Sequence, residues 1–136
     1  MTRLFALLML LAMACPAYCE LTQRQVKILL LVAEVRELSA DETALLMAIR
    51  DHEHGSPGRE CGVFSPTAQY FQDGFISEIV QADGAAWIIK QFYRGSVVRF
   101  AKIYAPIGAD NDPKGLNKCW AKEVSWLKSK YKRGGK

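Results

Sequence analysis

Apolar residues recur along most of the chain at intervals of three and four, the spacing that places them on one face of a helix. The clearest case is residues 40–53, where Leu45, Ala48 and Ile49 share a face. No run of strict alternation is long enough for a substantial sheet. The pattern therefore predicts an all-α domain of about five to seven helices, with little or no sheet. The other predicted helices cover residues 26–38, 65–80, 80–94, 97–104 and 119–131, with a break near Asp83-Gly84.

Residues that begin and end helices flank the segment 40–53. Two capping boxes, in which side chains satisfy free backbone amides, precede the first two helices: Thr22 with Gln25, and Ser39 with Glu42. The sequence Gly-Ser-Pro-Gly at 55–58 cannot continue the helix, because Gly55 tolerates a left-handed cap and proline has no amide hydrogen. Glu53 therefore lies in the last helical turn, beside a turn-rich loop.

A carboxylate in this position has two interpretations. Glu53 suits a general acid, which must stay protonated near neutral pH and is helped to do so by apolar burial. The alternative is a solvated surface glutamate without a chemical role, which residue type alone favours.

The first 19 residues predict a secretory signal peptide. A short basic start precedes an uninterrupted apolar run over residues 4–13, and small residues follow. The run is about half of the roughly 20 residues that span a bilayer as a helix, which disfavours a permanent anchor. Cleavage after Ala14 and cleavage after Cys19 both fit. We therefore expect an exported protein of the periplasm or the extracellular space, with a single domain at residues 20–136.

In an exported protein, cysteines are expected to form disulfides, because the environment is oxidising. Two of the four cysteines lie in or beside the leader. The remaining two, Cys61 and Cys119, form the predicted disulfide of the domain. Closing a loop of this size would stabilise the fold by about 4 kcal/mol. Two separate buried thiols are an alternative. A zinc site with His52 and His54 is a third, although none of the usual short ligand spacings is present.

Charge is distributed unevenly along the domain. From Pro113 onward eight Lys or Arg and one acid give +7, whereas nine bases and thirteen acids in residues 20–112 give −4. In an exported protein, a basic C-terminus predicts contact with an anionic surface such as the cell wall. Aromatic and basic residues do not alternate as in single-strand nucleic-acid binding, so we expect no nucleic-acid partner. A solvated helix face is the alternative.

Several common site motifs are incomplete. His52-Glu53 lacks the second histidine of a zinc-protease helix, since position 56 is a serine. The segment from Asp110 begins like a calcium loop, but Lys114 and Ala121 stand where ligands are needed. We interpret it as a turn whose Asp and Asn side chains bind local backbone amides. The sequence predicts no metal or cofactor.

Two sequence motifs carry a resemblance to a known family. They are Ala48-Ile49-Arg50-x-x-Glu53-x-Gly55-x-x-Gly58-Arg59-Glu60-x-Gly62-Val63 and Tyr104-Ala105-Pro106-Ile107-Gly108-Ala109-Asp110-Asn111-Asp112-Pro113-x-Gly115-Leu116-Asn117, with Pro66-Thr67-Ala68 between them. In this order they resemble small lysozyme-like domains of the lytic transglycosylase superfamily, which occur in bacteria and in phage or prophage proteins. The resemblance covers about residues 40–120. It implies that Glu53 is a single general acid and base, and that the substrate is bound by Glu60, Gly62, Val63, Phe64, Tyr104 and Asn111.

The resemblance also implies a substrate, the β-1,4 bond between N-acetylmuramic acid and N-acetylglucosamine in peptidoglycan, cleaved by a monomer. Hydrolysis would require a second carboxylate, for which the candidates are Glu60, Asp73, Asp110 and Asp112. A lytic transglycosylase needs none, because the 6-hydroxyl of the sugar attacks and leaves a 1,6-anhydro product. We expect transglycosylase chemistry slightly ahead of hydrolysis. The alternative is a catalytically silent lysozyme-like module that binds cell wall or belongs to a virion.

The chain departs from the family pattern in three places. Few residues separate Glu53 from the turn at Gly62, and His54 stands where a small or polar residue is usual. Cys61 and Cys119 replace an aromatic and a polar residue. Their joint appearance fits a disulfide that connects the two motifs.

Overall fold

A computed structural model describes residues 20–55, 58–63 and 74–134 of the protein. These ranges contain five helices and no strand, which confirms the predicted all-α class. The helices are α1 (Gln23–Val35), α2 (Ala40–Glu53), α3 (Gly74–Phe92), α4 (Val97–Tyr104) and α5 (Asn117–Gly134). The predicted signal peptide lies outside the described residues. Within them, no helix combines the length and the apolar character that crossing a bilayer requires.

Both predicted capping boxes form. The hydroxyls of Thr22 and Ser39 each accept a hydrogen bond from the amide three residues later, and the side chains of Gln25 and Glu42 accept one in return. The predicted left-handed cap of α2 is displaced by one residue, since His54 and not Gly55 adopts it, with φ 44°. Gly55 is needed for a different reason, because a Cβ there would lie 1.7 Å from the carbonyl oxygen of Arg59.

Helix α3 is continuous, so the predicted break near Asp83-Gly84 is wrong. Glycine costs about 1 kcal/mol in a helix interior, but here it makes room for a neighbour. A Cβ on Gly84 would lie 3.2 Å from a methyl group of Val63. Asp83 accepts two hydrogen bonds of 2.6 Å from the guanidinium of Arg36, which follows α1. Tertiary contacts therefore hold the helix together where local propensity is weak.

Helix α2 lies at the centre of the fold and packs against α1, α3 and α5. Every residue from 44 to 51 is buried, including Arg50 and Asp51. Arg50 forms an ion pair with Glu78 of α3, with 2.6 Å between Nε and Oε1. The inward face of α5 carries Trp120, Val124 and Leu127, which are buried. Glu53, the last residue of α2, is thus held at the end of the most buried helix.

The N-terminal part of α2, at the opposite end from Glu53, borders a groove of about 720 Å³. Residues 40–47 of α2 line it together with Leu30 of α1 and the C-terminal end of α5. Glu53 lies six residues beyond Met47, about 9 Å further along the helix axis at 1.5 Å per residue. The groove is therefore separate from the site described next.

Candidate active site

The carboxylate of Glu53 meets the indole of Trp120. Glu53 is partly buried at the end of α2, and its Oε1 accepts a hydrogen bond of 2.7 Å from Nε1 of Trp120. Trp120 lies in the first turn of α5 and is only 2% exposed. Because α5 packs along α2, the contact joins two residues that are 67 positions apart. One oxygen of the carboxylate is thus held by a buried donor.

Aromatic rings fix the orientation of Trp120. The ring of Tyr104 stacks on the indole, with centroids 5.4 Å apart and an angle of 26° between the planes. Phe100 lies on the same side of α4, 6.4 Å from the indole. His52 meets the indole edge-on at 6.1 Å, and its Nδ1 lies 3.2 Å from the carboxylate of Glu123. Rotation of the indole away from Glu53 would therefore require several side chains to move.

Gly62 lies directly against the other carboxylate oxygen. A Cβ at this position would stand 2.7 Å from Oε2 of Glu53, closer than nonbonded atoms normally approach. The residue also has φ 68°, a left-handed conformation that L side chains rarely adopt. The backbone of Gly62 thus covers the carboxylate of Glu53 on the Oε2 side, and Gly62 itself is exposed.

Gln81 of α3 fixes the segment 61–63. Its Oε1 accepts hydrogen bonds from the amides of Cys61 and Val63, at 3.3 and 3.1 Å, and its Nε2 donates to the Val63 carbonyl at 2.9 Å. Sequence reasoning missed this residue. A signal was available, because Ser77, Glu78 and Gln81 place polar side chains on the same face of α3 as the buried Ala82 and Ala85.

Tyr104 has a role in both halves of the site. While its ring stacks on Trp120, its hydroxyl donates a 2.6 Å hydrogen bond to the carbonyl of Cys61. Burial raises the pKa of Tyr104 well above its usual value, and the charges of Cys61 and Glu53 add to the effect. The hydroxyl therefore remains a donor. The structure brings Tyr104 to the site, as the sequence predicted, and assigns it a contact with the loop backbone.

Glu60 lies inside the protein and not on an open surface. It is 3% exposed, and its two oxygens accept hydrogen bonds from the amide of Gly58, at 2.9 Å, and from the hydroxyl of Ser77. These contacts link the loop after α2 to the start of α3. The predicted substrate-binding residue is thus placed where it can hold the loop.

The predicted disulfide is not formed, and both cysteines are free. Cys61 is completely buried in the core, and this burial raises the pKa of its thiol well above the usual value. Cys119 is exposed. The neighbouring Trp120 points inward, and consecutive residues of a helix point in different directions. Hydrogen bonds and stacking connect the two motifs instead of a disulfide.

The remaining predicted residues are dispersed. Asn111 is exposed in the loop before α5, and Val63 packs against Gly84. Phe64 lies outside the described residues. Asp112 accepts hydrogen bonds from the amides of Leu116 and Asn117, at 2.8 and 2.9 Å, which confirms the predicted local turn. Among residues 20–55, 58–63 and 74–134, no three His, Cys, Asp or Glu side chains form a group suited to a metal ion.

Comparisons of the chain with protein-family models, with curated proteins and with solved structures find no match. The arrangement of Glu53, Trp120 and Gly62 offers one carboxylate that is held on one oxygen by a buried donor and has the exposed backbone of Gly62 beside the other.

Proposed function

We propose that the protein cleaves the β-1,4 bond between N-acetylmuramic acid and N-acetylglucosamine in peptidoglycan, with Glu53 as general acid and base. One observation carries the proposal: the Glu53 carboxylate lies between the indole N–H of Trp120 and the backbone of Gly62, at the solvent-reached end of a buried helix. Glu53, Gly62 and Tyr104 are also the positions at which the chain resembles lytic transglycosylases. The structural observation and the resemblance share Glu53 and Gly62, and Tyr104 stacks on Trp120.

The chemistry needs only one carboxylic acid. Glu53 donates its proton to the glycosidic oxygen as the bond from that oxygen to the anomeric carbon breaks. The carboxylate that remains then takes the proton of the sugar's 6-hydroxyl, whose oxygen bonds to the anomeric carbon. Glu53 is protonated again at the end, no water is consumed, and the muramic end becomes a 1,6-anhydro sugar.

The positions of the other carboxylates support transglycosylation over hydrolysis. A hydrolase would place a second carboxylate about 5 Å from the first, or about 6.5–9.5 Å away if it inverts. Glu60 and Asp112, two of the four candidates, use their oxygens in internal hydrogen bonds. Asp110 lies exposed in the loop before α5, and Asp73 is outside the described residues.

The basic C-terminal region supports an anionic polymer as partner. Lys114, Lys118 and Lys122 are exposed in and just before the first turns of α5, the helix that carries Trp120. Peptidoglycan bears carboxylates on its peptide stems, so a positive surface near the site would favour encounter. The lysines would act through long-range attraction that salt screens.

A matched pair of substitutions tests the proposal. Glu53→Gln removes the acid with almost no change in size, and we expect release of soluble fragments from purified peptidoglycan to fall by about a hundredfold or more. Glu34→Gln makes the same change on the exposed side of α1 and should leave the rate unaltered. Unchanged activity in a folded Glu53→Gln variant would refute the assignment. No fragments from folded wild-type protein, together with salt-sensitive binding to the wall, would favour a binding module instead.

A further inference from the structure

We propose that Trp120 is a positioning residue that keeps the acidic proton of Glu53 on Oε2, the oxygen beside Gly62. The inference rests on the proposed function, since it concerns how the same carboxyl group is prepared for catalysis. Its starting point is the 2.7 Å hydrogen bond from Nε1 of Trp120 to Oε1 of Glu53.

The indole can only donate. Its N–H has no lone pair available to accept a hydrogen bond, so Oε1 of Glu53 must be the acceptor. This holds in both protonation states of the carboxyl group. A proton on Oε1 would compete with the indole hydrogen, whereas a proton on Oε2 leaves the bond intact. The neutral acid therefore carries its proton on Oε2.

The surroundings of Oε2 fit this assignment. Gly62 has no side chain, and any Cβ there would come within 2.7 Å of Oε2. Because Gly62 is exposed, a ligand can approach Oε2 from solvent at this edge. The buried Trp120 covers Oε1 instead. The two oxygens are therefore inequivalent, and the one that bears the proton is the one that lies beside the exposed backbone of Gly62.

The arrangement also serves the second half of the reaction. Once Glu53 has given up its proton, the indole N–H stabilises the resulting carboxylate through a charge-assisted hydrogen bond. The packing of Trp120 against Tyr104, Phe100 and His52 keeps the donor in place throughout. Trp120 is thus expected to hold one geometry for both proton transfers.

The test removes the indole N–H in two ways, one of which keeps the shape of the ring system. Trp120 is replaced by phenylalanine and, separately, by 3-benzothienylalanine, whose ring system is that of tryptophan with sulfur in place of the N–H group. The first measurement is the titration of the Glu53 carboxyl carbon by NMR, identified by its loss in Glu53→Gln. Because the lost donor would favour the ionised form, the midpoint should move upward in both variants.

The second measurement is kcat for glycan cleavage as a function of pH. We expect kcat at the optimum to fall by about tenfold to a hundredfold, the effect of losing one hydrogen bond to a charged group. The alkaline limb of the profile should move upward in parallel with the NMR midpoint. The substitutions leave the surrounding ionisable residues in place: Arg50 and His52 of α2, His54 just after it, Glu60 and Cys61 of the loop, Glu78 of α3, Tyr104 of α4 and Glu123 of α5. Trp87→Phe, which alters an exposed tryptophan packed edge-on against Phe92, is the control and should change neither quantity.

The outcomes separate this inference from the proposed function. Wild-type activity with an unmoved titration and an unchanged kcat in the 3-benzothienylalanine protein would overturn the role of Trp120 and leave the function standing. Absence of wild-type activity would overturn the function and with it the catalytic role of Trp120. In that case, an upward shift of the NMR titration midpoint would still establish the hydrogen bond between the N–H of Trp120 and Glu53.

Discussion

Gly62 and Gly95 show how the same backbone conformation can serve different purposes. Both have positive φ, at 68° and 84°, so a side chain is unfavourable at either position. A Cβ on Gly95 would meet nothing within 4 Å, whereas one on Gly62 would meet the carboxylate of Glu53. The left-handed conformation favours glycine at both positions. Only at Gly62 does a neighbouring group, the carboxylate of Glu53, also leave no room for a side chain.

Alanine substitutions at these two glycines separate the two effects. Gly62→Ala and Gly95→Ala should each lower the free energy of unfolding by about 1–2 kcal/mol, the cost of a left-handed conformation with a Cβ. Only Gly62→Ala should reduce glycan cleavage, by about a hundredfold, since the methyl group displaces the carboxylate. Chemical unfolding and initial rates measure both quantities. Equal activity in the two variants would show that Gly62 has no role beyond the turn.

At the residue scale, the sequence predicted those site members that belong to the two motifs. Glu53, Gly62 and Tyr104 are brought together as expected. The sequence did not indicate Trp120 as a site residue, because its apolar ring fits the helical pattern and a hydrophobic pattern carries no information about its N–H. Gln81 was missed for a similar reason, since its three hydrogen bonds reach a loop 18 and 20 residues earlier in the chain.

At the element scale, the predicted range 26–38 for the first helix lies three residues later than α1 (Gln23–Val35) at each end, while other ends were located closely. The predicted helix 97–104 matches α4, and both capping boxes form at α1 and α2. The break predicted near Asp83-Gly84 failed because propensity alone cannot show that Val63 packs into the space left by Gly84. The predicted disulfide failed to appear for a related reason, since a cysteine pair in the sequence carries no information about which side chains face each other.

A network at Asp41 ties the start of α2 to the end of α5. Its carboxylate lies 2.7 Å from Lys128 and 2.8 Å from Lys132, and accepts a hydrogen bond from the hydroxyl of Tyr93. Partial burial alone would raise the pKa of Asp41, but the hydrogen bonds from Lys128, Lys132 and Tyr93 outweigh it and lower the pKa. The stabilisation is therefore complete above the unfolded-state pKa of about 3.9 and is lost as the pH falls toward the lower folded-state pKa.

Asp41→Asn should accordingly destabilise the protein in a pH-dependent way. Near pH 7 we expect a loss of about 1–2 kcal/mol, modest because the network is partly exposed and screened. The difference from wild type should shrink as the pH falls below about 4, where the wild-type protein loses the same contribution. Urea unfolding across this range measures it, with Glu34→Gln as the control. A difference in unfolding free energy between wild type and Asp41→Asn that stays constant with pH would contradict the role of the Asp41 network.

At the scale of the whole molecule, the uneven charge has two uses. Lys128, Lys130 and Lys132 lie near the C-terminus of α5 and contact acids of the more acidic N-terminal region, at Asp41 and Glu20. These pairs join distant parts of the fold. Lys118 and Lys122 are instead exposed near the start of α5, the helix that carries Trp120. The sequence predicted the charge separation, and only the fold distinguishes the two groups of lysines.

The central claim is that Glu53 alone cleaves the glycan by transfer to the sugar's own 6-hydroxyl. The most direct test is mass spectrometry of the fragments that the purified full chain releases from peptidoglycan. We expect muramic ends that are lighter by one water per cut, as in 1,6-anhydro sugars, and no fragments from Glu53→Gln. Fragments with reducing ends of normal mass would contradict the claim, because they would require a water molecule activated by a second carboxylate.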